Sequence, residues 1–468
     1  MILSSVITFN STYVSLQNLH TSPLWDAYAN CSITEPDWAS LDLPIADRRF
    51  HWGFTEKSSS FAGAFGGAVV GTQPVGFLIR RFGAHRSMTI IGAIGALAVA
   101  FTPFALSWSF PLFVFVRFIN GLTFCNLFPV AGMVVNDWAP LAQRGIFVAV
   151  TTGHVEIAAL YTMPVGAAVA SSVGWPYAFW LNGLILAILT FLWAVYYRDR
   201  AHSHPFTGAA ELQKISAGKD VALIGALPPT PPYRRIFTTP VIWASWIAVI
   251  GTFFVSQFCI SWAPVYLNNV LGYSTTLTGV ISVVPLFFQL FIKIITGLLS
   301  DMLTMVDEVL KLRIFNSIAL VGAAVFFAVA TMVPLTHTAL DVFLSVTPIA
   351  LLGFHAGGYP KCIVMVSRQH SAFVMSFVQM FACGTMLVGS FIVPGLTPHN
   401  TFEEWKRVFI FYAAVLVVTN TIFVICARAD AAPWTQNTTR TETEIESAQD
   451  AVTTEDMNGN VHREQSRH

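Results

Sequence analysis

Eleven stretches of this chain are long and apolar enough to cross a bilayer: residues 59–79, 87–107, 110–135, 146–170, 177–197, 240–262, 275–299, 314–333, 342–361, 372–394 and 408–427. A hydrocarbon core about 30 Å thick needs roughly 20 apolar residues of helix to span it. Tilt accommodates the scatter in length. In lipid the backbone must satisfy its own hydrogen bonds, so only helices and closed barrels cross, and apolar runs this long fit helices. Composition agrees. Hydrophobic residues make up 54% of the 468 and charged residues only 11%, against about 25% charged in soluble proteins. The expected fold class is an all-α polytopic membrane protein, integral and multi-pass.

The basic residues then set the orientation. Arg80, Arg81 and Arg86, then Arg144, then Arg198 to Arg235, then Lys311 and Arg313, then Lys361 and Arg368, then the tail from Arg428 occupy every second loop. The intervening ends carry only Arg48, Arg49, Lys57, Lys406 and Arg407. The positive-inside rule makes the first set cytoplasmic. Residues 21–57 become an extracellular or lumenal loop, 58–197 an N-terminal helical bundle, 198–239 a cytoplasmic linker, 240–427 a C-terminal bundle and 428–468 a cytoplasmic tail. The linker holds the proline-rich run at 228–232, and the tail, rich in Thr, Glu and Asn, has the composition of a disordered segment. Asn30, in an N-C-S sequon on the outer side, is the expected glycosylation acceptor. Sequons at Asn10 and Asn437 fall too near the membrane and on the wrong side.

The chemistry visible in the chain is sparse. The six cysteines lack metal-ligand spacing. No nucleophile–base set or phosphate-binding loop stands out, so an enzyme is not expected, nor a metal or cofactor. No basic patch points to nucleic acid. An ionisable group inside a span, by contrast, is a functional hypothesis by default. Arg117 lies well inside the third stretch. It is either a charge paired within the bundle or an arginine facing a central cavity, where its planar fork suits carboxylate or phosphate. Lys293 either snorkels to the cytoplasmic interface or supplies a cavity charge. Glu156 either pairs with Arg117 or carries a proton, and His154 titrates in the range of a proton step; both read equally well as satisfied structural polar residues. Asn126, Tyr161, Gln257, Gln289, His355 and Gln379 can bond a substrate or hold helices together. Gly63, Gly66, Gly67 and Gly71 form a face that a neighbouring helix can approach closely. Pro129, Pro164, Pro285, Pro348 and Pro360 bend or break spans.

The stretch from Gly76 to Arg86, GFLIRRFGAHR, resembles the signature between the second and third helices of the major facilitator superfamily. Gly76, Leu78, Arg81 and Gly83 fit the pattern, Arg86 supplies the terminal basic position, and Arg80 replaces the usual Asp. A weaker copy, GLLSD, runs from Gly297 to Asp301. A narrower resemblance covers about 50–435 and is to the anion:cation symporter family, which includes sialin, vesicular glutamate and type I sodium–phosphate transporters. It rests on RFINGL from Arg117, on Phe128 and Pro129, on Trp138 to Pro140 with Arg144, on GWPYAF from Gly174, on PVYLNNVLGY from Pro264, and on LTPHNTFEEW from Leu396. Asn120 stands where that family has Gln, Phe124 where it often has a proton-linked Glu, Thr252 where its glutamate-type members have a second cation, and Ala62 where they have His.

The resemblance implies two six-helix bundles, with residues 1–20 as the outer remnant of a first transmembrane helix. It implies secondary active transport of a small organic anion, or of phosphate, by alternating access. H⁺, Na⁺ or the membrane potential would drive it, Arg117 would supply the main charge, and the carrier would work as a monomer in lipid. Residues placed at the substrate are Arg117, Asn126, His154, Glu156, Tyr161, Lys293 and Gln379. A sugar or drug carrier of the same superfamily and a non-transporting receptor or scaffold are the alternatives. Plasma membrane and lysosomal or vesicular membrane both fit.

Overall fold

A computed structural model describes residues 1–17, 44–50, 52–140, 147, 150–201, 204–216, 231–303 and 305–435. Asn30, Cys31, Arg144 and Asn437 lie outside the described residues, as do most of the outer loop and tail and part of the linker.

Eleven helices among the described residues are long and apolar enough to cross a membrane. They are α2 (Phe54–Phe82), α3 (Ala84–Trp108), α4 (Phe110–Trp138), α5 (Val150–Ser172), α6 (Trp175–Tyr196), α7 (Pro240–Asn269), α8 (Thr275–Met302), α9 (Glu308–Ala330), α10 (Thr338–Ser367), α11 (Ser371–Leu396) and α12 (Phe402–Cys426). A twelfth, α1 (Ile2–Gln17), has 16 residues, about 24 Å of helix. It is too polar to stand out by hydropathy, yet it is buried almost throughout. Its Ser, Thr and Asn side chains bond backbone carbonyls one turn back or a neighbouring helix, which is how a polar helix survives in an apolar interior.

The helices form two six-membered bundles. In the first, α1 packs against α3, α4, α5 and α6, while α2 lies on α4 and α3 on α6. In the second, α7 packs against α10, α11 and α12, and α9 against α10 and α12. An aromatic cluster of Phe258, Phe327, Trp405, Phe409 and Tyr412 fills the centre of the second bundle. The bundles meet chiefly along α2 with α11 and α5 with α8, and further through α4 with α11 and α1 with α7.

Three spans are broken where the sequence breaks them. α4 divides at Cys125 and Asn126 into Phe110–Phe124 and Leu127–Trp138. Pro129 has no N–H, and its ring crowds the carbonyl four residues back, at Cys125. In α7 a π-helical turn, Phe258–Trp262, precedes Pro264. In α10 a 3₁₀ segment, Leu352–Gly357, separates Thr338–Leu351 from Tyr359–Ser367 between Pro348 and Pro360. Pro164 and Pro285 lie within continuous helix.

The inner loops are pinned. Gly83 has φ +85°, and the carboxylate of Asp199, just beyond α6, fills the space where a side chain would stand. Asp199 accepts from the His85 N–H at 2.8 Å, serving a free donor in the first turn of α3. Arg80 lies in α2, at the inner end that precedes this turn. The corresponding loop of the second bundle is held by Lys311, which donates to the carbonyls of Ser300 and Leu303 and pairs with Glu308. Lys361 donates to the Ser300 hydroxyl and also reaches Glu308. After α12 the chain folds back: Ala432 N–H donates to the Val366 carbonyl, and the Trp434 indole to Thr239 at the start of α7.

Candidate functional site

The polar groups of the interior fall at two depths. Arg117 marks the outer one. It stands seven residues below Phe110, the outer start of α4, about 10 Å at the helical rise. Its guanidinium is fully buried. The Nε donates to the Ser60 carbonyl of α2 at 3.3 Å and Nη1 to the Val6 carbonyl of α1 at 3.2 Å. The cation lies 4.5 Å from the centre of the Phe9 ring. Nη2 has no hydrogen-bond partner, and no carboxylate pairs with Arg117 among the described residues.

The glycine face of α2 makes this reach possible. A Cβ on Gly63 would stand 3.3 Å from the Arg117 Cβ, and one on Gly67 only 2.0 Å from the Phe118 carbonyl oxygen. Toward the second bundle at this depth, Asn10 donates to Ser261 at 2.9 Å, and Phe61 meets Trp262 with ring centres 4.8 Å apart. The π-helical turn of α7 supplies both Ser261 and Trp262. Lys57 sits over the Trp262 ring, whose indole N–H is unpartnered among the described residues.

The inner depth holds an ion pair. Glu156, on α5, accepts from the Lys293 ammonium, on α8, at 2.8 Å, and the two side chains are 2% and 5% exposed. Burial removes the snorkelling reading of Lys293, and Glu156 pairs with it rather than with Arg117. His154 bonds the Thr151 carbonyl through Nδ1, and its Nε2 is unpartnered among the described residues. His355 lies within electrostatic reach of both ions and stacks on Tyr359. His154, Glu156 and Lys293 are therefore brought together, with His355 and Tyr359 beside them.

The other candidates lie elsewhere. Asn126 donates to the Met88 sulfur between α4 and α3. Tyr161 lines a small cleft with Thr8, Thr162 and Asn182 between α1, α5 and α6. Gln379 donates to the Cys383 sulfur one turn along α11. Gln257 ties α7 to α11 through the Met386 carbonyl and Ser390. One buried acid escaped the sequence reading. Asp341 of α10 is fully buried and accepts from the Tyr266 hydroxyl of α7. The apolar run begins at residue 342, but the helix starts at Thr338, which carries Asp341 inside.

The family model of the Major Facilitator Superfamily matches residues 37–367. The chain belongs to this superfamily. Its helices agree with solved members: the crystal structure of a D-xylose-proton symporter superposes with a TM-score of 0.59, covering 92% of this chain and 96% of that one at 16% identity. Among curated relatives, sialin of Ovis aries is 22% identical over 83% of this chain and 78% of its own length. Sodium-dependent phosphate transport protein 3 of Mus musculus is 22% identical over 84% and 82%. The protein is thus an integral multi-pass secondary transporter of the alternating-access fold.

Proposed function

We propose that this protein carries a small organic anion, or inorganic phosphate, across its membrane, and that it belongs to the anion:cation symporter family within the superfamily. The observation that carries the reading is Arg117. A guanidinium sealed in a membrane interior without an acid partner among the described residues leaves a positive charge and an unused donor, Nη2. Carbonyl oxygens and the Phe9 face hold it in place without neutralising it. A carboxylate or phosphate oxygen supplies the missing charge and accepts the free N–H. The relatives support the same class, one of them being named for phosphate. Asn30 is proposed as a glycosylated position of the outer loop.

The test is flux into sealed vesicles containing the purified chain, with labelled sialate, glutamate, urate and phosphate offered separately. One of these anions is expected to accumulate. Arg117→Ala should lower its uptake about tenfold or more, the scale of a lost charge-assisted hydrogen bond. Arg117→Lys should rescue little, because a compact ammonium lacks the planar fork that bonds the two carbonyls through separate nitrogens and aims a third at the anion. Anion uptake unchanged in Arg117→Ala would remove the residue from the site. Uptake of neutral sugars alone would replace the anion reading.

A further inference from the structure

The outer mouth of the seam between the bundles holds a cation that the proposed anion site does not use. Lys57 stands three residues inside the outer start of α2, about 4.5 Å deep. A lysine at that depth can extend its ammonium to water along its apolar stem. Lys57 instead lies toward the seam, with Nζ 5.9 Å from the centre of the Trp262 ring on α7. That is near the limit at which a ring face attracts a cation, about 6 Å, so the ring holds the ammonium loosely. No carboxylate answers it among the described residues. The acids at the outer ends are engaged elsewhere. Asp47 lies within electrostatic reach of Arg49, and Glu56 accepts from the Gly53 N–H. Asp341 accepts from Tyr266, Glu403 from Lys406, and Glu404 from the His399 and Thr401 N–H groups.

The neighbouring groups supply donors. The Trp262 indole N–H is buried without a partner among the described residues. Asn10 of α1 spends its amide N–H on the Ser261 hydroxyl of α7, 2.9 Å away. Phe61, one turn below Lys57, packs on the Trp262 ring with centres 4.8 Å apart. These contacts all join the first bundle to the second, so they part when the outer path opens. Opening then leaves the Lys57 ammonium, the Trp262 and Asn10 N–H groups and the Ser261 hydroxyl at the mouth of the path, with one positive charge and no acid among the described residues.

We propose that Lys57, with the Trp262 indole N–H, forms an entry subsite that takes the transported anion at the outer mouth before Arg117 does. The proposal rests on the anion reading above, and the subsite takes the same ligand class, a carboxylate or phosphate. The depths fit a relay. Arg117 bonds the Ser60 carbonyl, three residues below Lys57 on α2, so the subsite lies about 4.5 Å outward of that contact. A charged oxygen holds an ammonium more tightly than a ring face does, so an arriving anion draws Lys57 off Trp262. Closure of the outer path returns the ring to the ammonium. The anion then moves on to Arg117, whose Nη2 has no partner among the described residues.

The experiment uses sealed vesicles of known orientation holding the full chain, and the panel anion that the wild type moves. Initial rates against concentration give KM from each side. Lys57→Gln is expected to raise the outer KM about tenfold, the scale of a lost charge-assisted hydrogen bond, and to leave the inner KM unchanged. Lys57→Arg should restore most of the loss. Trp262→Phe, which keeps the ring and removes the N–H, should raise the outer KM by a smaller factor. Raising ionic strength from about 20 to about 150 mM, with either of two unlike salts, should raise the wild-type outer KM and barely change that of Lys57→Gln. A brace would act with the opposite sign. If Lys57 only held the outer gate shut, its loss would favour the outward-open carrier, lowering the outer KM and raising the inner one. That pattern, an equal change on both sides, or an outer KM unmoved by Lys57→Gln overturns the subsite. If Lys57→Gln is not recovered folded, Lys57→Met, which keeps the apolar stem, takes its place. A wild-type outer KM indifferent to ionic strength overturns the subsite without any variant. Uptake that falls in Arg117→Ala but is unaltered in Lys57→Gln overturns the subsite alone, whereas no anion uptake by the wild type overturns the anion reading itself.

Discussion

Two buried acids show how placement decides what a carboxylate can do in this interior. Glu156 faces a partner on the other bundle. Asp341 faces Tyr266 within one bundle and moves with it as a unit. Its Oδ1 has no partner, so the Tyr266 hydroxyl is the donor that holds it among the described residues. Tyr266→Phe should therefore lower stability by about 1–3 kcal/mol, the cost of a buried acceptor left unmet. Removing both polar groups, as in Tyr266→Phe/Asp341→Leu, should recover most of that loss. Thermal unfolding in detergent followed by tryptophan fluorescence compares the two. A double variant as unstable as the single one would mean the loss lies in packing against Trp405 and Phe409 instead.

At the scale of helices, the tightest crossing in the first bundle is α2 on α4. A Cβ on Gly121 would lie 1.8 Å from the Ala64 carbonyl oxygen, and one on Gly67 2.0 Å from that of Phe118. Both obstacles are backbone, so no rotamer relieves them. Gly67→Ala and Gly121→Ala should each cost about 1–3 kcal/mol as the helices separate and should loosen the Arg117 contact with Ser60. Gly384→Ala, on α11 with open space around it, should cost nothing measurable and gain helix propensity. Equal melting temperatures for Gly121→Ala and Gly384→Ala would show that α2 and α4 have slack. This crossing was readable from the spacing of Gly63, Gly67 and Gly71, and the break in α4 from Pro129, because both are local effects of backbone geometry. Gly66 turns instead toward Leu387 of α11. Pairings were not readable. Glu156 and Lys293 are 137 residues apart and His85 and Asp199 are 114 apart, and no local pattern links such positions. Sequence could name the ionisable groups that need partners but not say which bundle provides them. Hydropathy left α1 out of the spans, and only the family resemblance supplied residues 1–20 as the remnant of a first helix, for a related reason: hydropathy measures affinity for lipid, and α1 meets other helices instead.

Across the whole molecule, the bundles touch at both ends, and this arrangement makes the transport cycle directly testable. On the outer side Phe61 meets Trp262, and a Cβ on Gly279 of α8 would stand 3.3 Å from that of Ala167 on α5. On the inner side a Cβ on Gly132 of α4 would stand 3.7 Å from that of Ala372 on α11. That inner separation matches the Cβ spacing of a disulfide, about 3.5–4.5 Å. Four native thiols, Cys125, Cys259, Cys362 and Cys383, are buried and poorly placed to compete. Gly132→Cys/Ala372→Cys should therefore cross-link under mild oxidation, with uptake falling to background and returning on reduction. The reason is mechanical: release to the inner side requires α4 and α11 to separate at this level, and a covalent bridge forbids it while leaving the outer contacts free. Substrate binding from outside should persist in the oxidised protein even as flux stops, which separates a locked carrier from a denatured one. Full flux through a cross-linked carrier would mean that the inner path opens along α5 and α8 instead, past the Glu156–Lys293 pair.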